Sequence, residues 1–257
     1  YGDYEYYTIL KMKYLNMNIN GILLNQIVSE LKSLVEKYNR ALLRTRLDED
    51  ELDDMRAFYP NLISAKASAS SSGITTWGNP SGTITKNIAN LDNNTTESIT
   101  YTGQGTTRWN PQTVWYVRIT GNQANPEGTL PQTLFTSMIH SREVGSLMSN
   151  IYFMWYLLEN YDTNPAVKNL VDNNELYFIP VVNPDGLRWN QHIDTNDGNG
   201  FGQGGGFQRK NCRPNTGGTS NLTTSRGVDL NRNFDYFWGT AGSGSSGTPT
   251  NDSYRGP

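Results

Sequence analysis

The chain has 257 residues, with 21 basic and 24 acidic side chains and a formal net charge of −3. A chain of this length can bury a core as one domain, or as two small ones, without staples. The single cysteine, Cys212, excludes an intrachain disulfide and a Cys-x-x-Cys metal or iron–sulfur site, and the mild acidity excludes nucleic-acid binding that relies on overall charge.

No apolar run reaches the length of a membrane span. There are two histidines, His140 and His192, so metal or acid–base chemistry has few candidates. The chain opens on Tyr1 with no signal-type apolar stretch, which suggests a processed chain or a piece of a longer one.

Residues 1–20 carry no clear period. Leu24, Val28, Leu31, Val35, Tyr38 and Leu42 then recur at steps of four and three, one apolar stripe on a helix. Residues 1–46 are therefore read as an N-terminal helical segment that packs on its own domain, with a dimer seam or a pro-segment tail as alternatives. The acidic run of residues 48–54 suits the first turn of a helix, where free N–H groups carry partial positive charge. That helix stops before Pro60. Residues 64–108, rich in Ala, Ser, Thr, Gly and Asn, read as an irregular surface insertion with short edge strands. The sequons in Asn93-Asn94-Thr95-Thr96 are weak signals in such a segment.

Residues 114–120 are apolar on both alternating faces, as in a strand covered on both sides. Residues 122–131 form a turn-rich connection, and residues 133–139 a second strand. His140 follows, then a helix with Leu147, Ile151, Met154 and Leu158 on one face, ending near Asn160 with Pro165 beyond it. Residues 175–182 are a third strand, closed by a turn at Asn183-Pro184-Asp185-Gly186. A glycine-rich loop (198–206), a short element (226–234) and a flexible Ser/Gly stretch (243–247) complete the chain. Strands alternating with helices predict an α/β domain over residues 47–257, with a mixed, mostly parallel sheet and helices on both faces.

Three clusters could carry chemistry. In His140-Ser141-Arg142-Glu143 a strand delivers the histidine at its C-terminal end, and Glu143 follows in the first turn of the next helix. At that spacing an imidazole and a carboxylate can converge above the strand end, where open α/β sheets place ligands. Two such donors suit zinc. The second cluster is Gly227-Val228-Asp229-Leu230-Asn231-Arg232-Asn233-Phe234, whose Asn231 and Arg232 could bind a carboxylate. The third is Arg209-Lys210-Asn211. Taken alone, the first reads rather as a surface histidine near a helix start, the second as readily as a solvated polar turn, and the third rather as a solvated basic cluster. Gly200-Phe201-Gly202-Gln203-Gly204-Gly205 follows no strand, which argues against dinucleotide binding. Residues 194–198 lack the closing acid of a calcium loop. No nucleophile elbow is present, and Cys212 reads as incidental.

Taken in order, the HSRE, NPDG, RKN and GVDLNRNF segments, closed by Tyr254-Arg255-Gly256-Pro257, resemble the zinc metallocarboxypeptidases of the carboxypeptidase A/B and T type. Tyr59-Pro60-Asn61-Leu62 is also similar to the end of that domain's early helix. The resemblance implies Zn2+ held by His140 and Glu143, with Asp229 orienting the histidine. It implies that Arg209 polarises the scissile carbonyl, that Asn231 and Arg232 clamp the free C-terminal carboxylate of a peptide or protein, and that Arg142 is a further substrate contact. It implies a secreted or periplasmic hydrolase. Residues 47–257 would be the N-terminal part of the catalytic domain, with the third zinc ligand, a glutamate base and a tyrosine expected beyond Pro257; His192 reads as a solvated loop histidine. A non-catalytic module that binds peptide or glycan ends is the alternative, and a cell-wall amidase or endopeptidase ranks below it. The resemblance requires His140, Glu143, Asp229 and Arg209 to meet in one cleft.

Overall fold

The computed structural model describes residues 49–90, 95–103, 108–191, 208–215, 226–240 and 242–257. The expected N-terminal helix, His192 and the glycine-rich loop lie outside them. In chain order the elements are α1 (Glu49–Phe58), β1 (Ala67–Ser68), β2 (Thr83–Asn90), β3 (Thr95–Thr102), β4 (Trp115–Ile119), β5 (Gln132–Thr136), α2 (Val144–Asn160), α3 (Pro165–Asp172), β6 (Glu175–Ile179) and α4 (Pro184–Gln191).

The α/β class and the mixed sheet are as expected. Four strands run in the order β1-β4-β6-β5. β5 and β6 pair in parallel, because the helical crossover through α2 and α3 returns the chain in the same direction. β4 pairs antiparallel with both β1 and β6. Within this four-stranded sheet one pairing of three is parallel, a smaller share than the sequence suggested.

α1 stops at Phe58, ahead of Pro60, and turns Leu52 and Met55 inward. One member of its acidic run is not solvated: Glu51 is buried and accepts from Trp155 Nε1 at 2.6 Å, tying α1 to α2. α2 buries the four predicted apolar residues. Beyond it Pro165 opens α3 rather than merely ending α2. Asn164 Oδ1 accepts from Ala166 N and Val167 N, and proline at the first helical position wastes no amide. The expected turn at Asn183-Pro184-Asp185-Gly186 is likewise a helix start. Asn183 Oδ1 accepts from Gly186 N at 3.0 Å, since the residues that favour turns also favour helix N-termini.

The insertion is more regular than its composition implied. β2 and β3 form an eight-residue antiparallel ladder, with paired threonine hydroxyls at Thr83–Thr102 (2.7 Å) and Thr85–Thr100 (2.8 Å). Ile99 and Tyr101 are buried, and Lys86 Nζ donates to Thr75 and to Thr76 O.

The turn-rich connection between β4 and β5 is held by a buried acid, Glu175. Its carboxylate accepts from Gly128 N (2.9 Å), Thr129 N (3.0 Å), Gln132 Nε2 (3.0 Å) and Tyr177 OH (2.8 Å). Burial alone would raise its pKa, but the Gly128 amide, Gln132, Tyr177 and the Leu130 amide outweigh burial and hold it down to about 2, against an ordinary 4.5. A depressed carboxylate pKa gives stability that is complete above 4.5 and lost as pH falls through about 2. Urea unfolding should therefore show the wild type losing stability across that window. Glu175→Gln should be less stable at neutral pH and should decline less steeply on acidification; equal acid sensitivity of the two proteins would contradict this.

Candidate active site

The parallel pairing of β5 and β6 continues past the strand ends, where Ser137 N donates to Ile179 O (3.1 Å) and Asn183 N to Met138 O (3.1 Å). Met138 then takes a left-handed φ of 55°. A non-glycine residue held there is strained, and the turn is fixed by its surroundings. The chain leaves the strand at this point and places His140 beside the start of α2.

His140 is buried, and both ring nitrogens face carboxylates. Nδ1 lies 2.9 Å from Glu143 Oε1, and Nε2 lies 3.1 Å from Asp229 Oδ1. Asp229 is wholly buried. Its Oδ1 also accepts from Asn231 N (2.9 Å), and its Oδ2 accepts from Arg209 Nε (3.0 Å). Both carboxylates offer only acceptors to the ring, and the pair of contacts fixes its orientation, with Nε2 turned to wholly buried Asp229 and Nδ1 to Glu143. Arg209 also approaches the glutamate, with its guanidinium 3.9 Å from Glu143 Oε1.

Backbone pairing supplies the alignment. Asn211 N donates to Val228 O (3.1 Å), Gly227 N to Arg213 O (2.7 Å) and Asp229 N to Tyr254 O (2.8 Å). Gly227 has a φ of 91°, and a Cβ there would strike Asn211 O, so any larger residue would part the two segments. The structure thus brings together His140, Glu143, Asp229 and Arg209 from three separate stretches of chain.

The other sequence-predicted residues lie around this group. Asp229 caps the 3-10 turn Leu230–Arg232, which carries Asn231, exposed, and Arg232. Arg232 donates to Gly244 O (2.6 Å) and Asn231 O (2.8 Å). Arg142 instead pairs with Asp252 at 3.2 Å on the surface.

Sequence reasoning missed Asp185. It is buried at the start of α4 and accepts from Thr76 Oγ1 (2.9 Å), Trp77 N (2.8 Å), Gly78 N (2.8 Å) and Trp109 Nε1 (3.0 Å). Burial pushes its pKa up, against these four donors. The signal was the acid inside Asn-Pro-Asp-Gly, which reads as turn chemistry unless its burial is known.

The zinc carboxypeptidase family profile matches residues 84–257. The chain belongs to the zinc carboxypeptidase family. Metallocarboxypeptidase A of Arthroderma otae is 36% identical over 126 residues, which cover 49% of this chain and 26% of that protein. The zinc carboxypeptidase of Saccharothrix mutabilis subsp. capreolus is 36% identical over 131 residues, covering 50% and 26%. The matched region is about a quarter of the length of these relatives. The crystal structure of thrombin activatable fibrinolysis inhibitor matches 80% of this chain and 37% of its own at 19% identity, with a TM-score of 0.52, a likeness of fold alone.

The donor set can be tested against the metal that gives this zinc carboxypeptidase family its name. His140 Nδ1 and Glu143 Oε1 are a nitrogen and an oxygen donor of the kinds zinc takes, already facing each other at 2.9 Å. Asp229 behind the ring matches the carboxylate partner that metal-binding histidines use. The pair fits two positions of a zinc site. Among the described residues no group of three or more His, Cys, Asp or Glu could hold a metal ion.

Removing the central carboxylate should be costly. Asp229→Ala leaves buried His140 and half-buried Arg209 without their acceptor, so urea unfolding should show a loss of about 3–5 kcal/mol. Asp229→Asn, which keeps one acceptor oxygen, should lose less. A loss within ~0.5 kcal/mol for the alanine variant, the range of an ordinary surface substitution, would contradict the geometry.

Proposed function

We propose that the whole protein is a zinc metallocarboxypeptidase that removes residues from the C-terminus of peptides or proteins. The observation that carries this reading is the imidazole of His140, held at Nε2 by buried Asp229 while Nδ1 faces Glu143. His140 and Glu143 would hold the ion. Bound zinc supplies Lewis acidity to a peptide carbonyl and an attacking water.

The protein's own groups do the rest. Asp229 keeps the proton on Nε2, orients the ring and raises its basicity. The same carboxylate holds Arg209 through Nε, which leaves the outer nitrogens of the guanidinium to face the carbonyl oxygen as negative charge develops there. Donors fixed in advance at that position cost no reorganisation during the reaction. Asn231 and Arg232 recognise the free C-terminal carboxylate, for which the planar guanidinium fork is suited. The backbone carbonyls of Gly244 and Asn231 keep that fork from swinging. Arg142 adds a further substrate contact. His140 and Glu143 fill two zinc positions, so the reading requires donors besides them. A secreted or periplasmic place of action belongs to the same reading and rests on the family alone; no helix among the described residues is long and apolar enough to cross a membrane.

The test is digestion of matched peptides with free and amidated C-termini by the zinc-loaded full-length protein, read by mass spectrometry. One residue at a time should leave the free acid and none the amide. His140→Ala should abolish release, and Arg209→Ala should lower kcat by roughly 10²–10³. Saturable binding of the free acid without release would favour an end-binding module instead, and internal cleavage of the amide would overturn the exopeptidase reading.

A further inference from the structure

We propose that Asn190, near the C-terminal end of α4, is a positioning residue that sets Arg209 against His140. The inference rests on the function proposed above, but its physical basis is independent of it. Asn190 Nδ2 donates to Ser141 O (2.9 Å) and to Gln208 O (3.0 Å), and Asn190 Oδ1 accepts from Gln208 N (2.8 Å). One amide therefore bridges the residue after His140 and the residue before Arg209, using both of its ends.

The bridge is not isolated. Ser141 Oγ donates to Gln208 O (2.5 Å), Ser141 N to Arg209 O (3.3 Å) and Asn183 Nδ2 to Arg209 O (3.3 Å). Asn183 precedes α4 and Asn190 sits near its end, so the helix grips the 208–209 backbone from both ends. Neither 140–141 nor 208–209 belongs to a strand or helix. One backbone bond, Ser141 N to Arg209 O, joins them directly, and the other bonds that set their relative placement come from the side chains of Ser141, Asn183 and Asn190.

α4 is itself anchored. Asp185 ties its first turn to residues 76–78 through the backbone amides of Trp77 and Gly78 and the hydroxyl of Thr76. Gly186 packs so closely that a Cβ would strike Ser141 Oγ. A helix fixed on one side and pressed against Ser141 on the other is a rigid base from which one amide can hold two loops. Asn190 touches neither metal donors nor the proposed reacting atoms, so its effect would pass through the placement of Arg209.

The experiment compares Asn190→Ala and Asn190→Asp with wild type in the full-length protein, by hydrogen exchange and by peptidase kinetics. Aspartate keeps the acceptor for Gln208 N but has no donor for the two carbonyls, and it carries the test if the alanine variant does not fold. Both variants should speed exchange at residues 139–142 and 208–211 together, while β5 and β6 keep their protection. With zinc bound, kcat should fall about 10–100-fold, the cost of a small misplacement of a catalytic group, with KM little changed because the loss is in the transition state. Unchanged exchange at both segments would overturn the proposal, as would loosened segments with wild-type kcat. If wild type shows no turnover yet the variants still release both segments together, the bridge stands and only the hydrolase reading falls.

Discussion

The site depends on one buried carboxylate. Asp229 has no solvent to share its charge, and a lone ion in that position would be prohibitively costly. It is stabilised by three donors from three places: the His140 ring, the Arg209 guanidinium and the amide of Asn231. Each bond that lowers the cost of burying the charge also fixes a functional group. The orientation of the His140 ring, the direction of Arg209 and the start of the turn carrying Asn231 and Arg232 therefore share one cause.

The same device recurs through the fold. Glu51 ties α1 to α2 through Trp155, Glu175 closes the β4–β5 connection, and Asp185 binds α4 to the segment before β2. Glu51 takes an indole donor, while Glu175 and Asp185 each take several backbone and side-chain donors, and charge-assisted bonds of this kind are stronger than neutral ones. A single cysteine can close no loop by itself. The long irregular stretches are held instead by buried acids that take donors from distant segments.

Much of this was legible in the sequence, and the limits have physical reasons. The stripe Leu147, Ile151, Met154, Leu158 fixed α2, since four apolar residues on one face have one way to be buried. His140 and Glu143 were legible from spacing, because three residues at a helix start bring two side chains to one point. Asp229 and Arg209, far from both in sequence, were reached only through family resemblance; no periodicity links them to His140. The start of α4 was read as a turn because Asn-Pro-Asp-Gly serves both roles locally, and burial of Asp185 by residues 76–78 decided between them. The β2–β3 ladder is hard to see in the sequence because Thr and Asn are prominent in its strands, and its regularity lies in cross-strand pairs. Cys212, read as incidental, is a buried core residue packed with Trp109 and Trp189.

The most direct measurement of the central claim is anomalous diffraction at the zinc absorption edge from crystals of the full-length protein. The account predicts a single strong peak bonded to His140 Nδ1 and a Glu143 carboxylate oxygen, with Asp229 still bonded to His140 Nε2. A peak elsewhere, or zinc in the crystals with none at this pair, would contradict it.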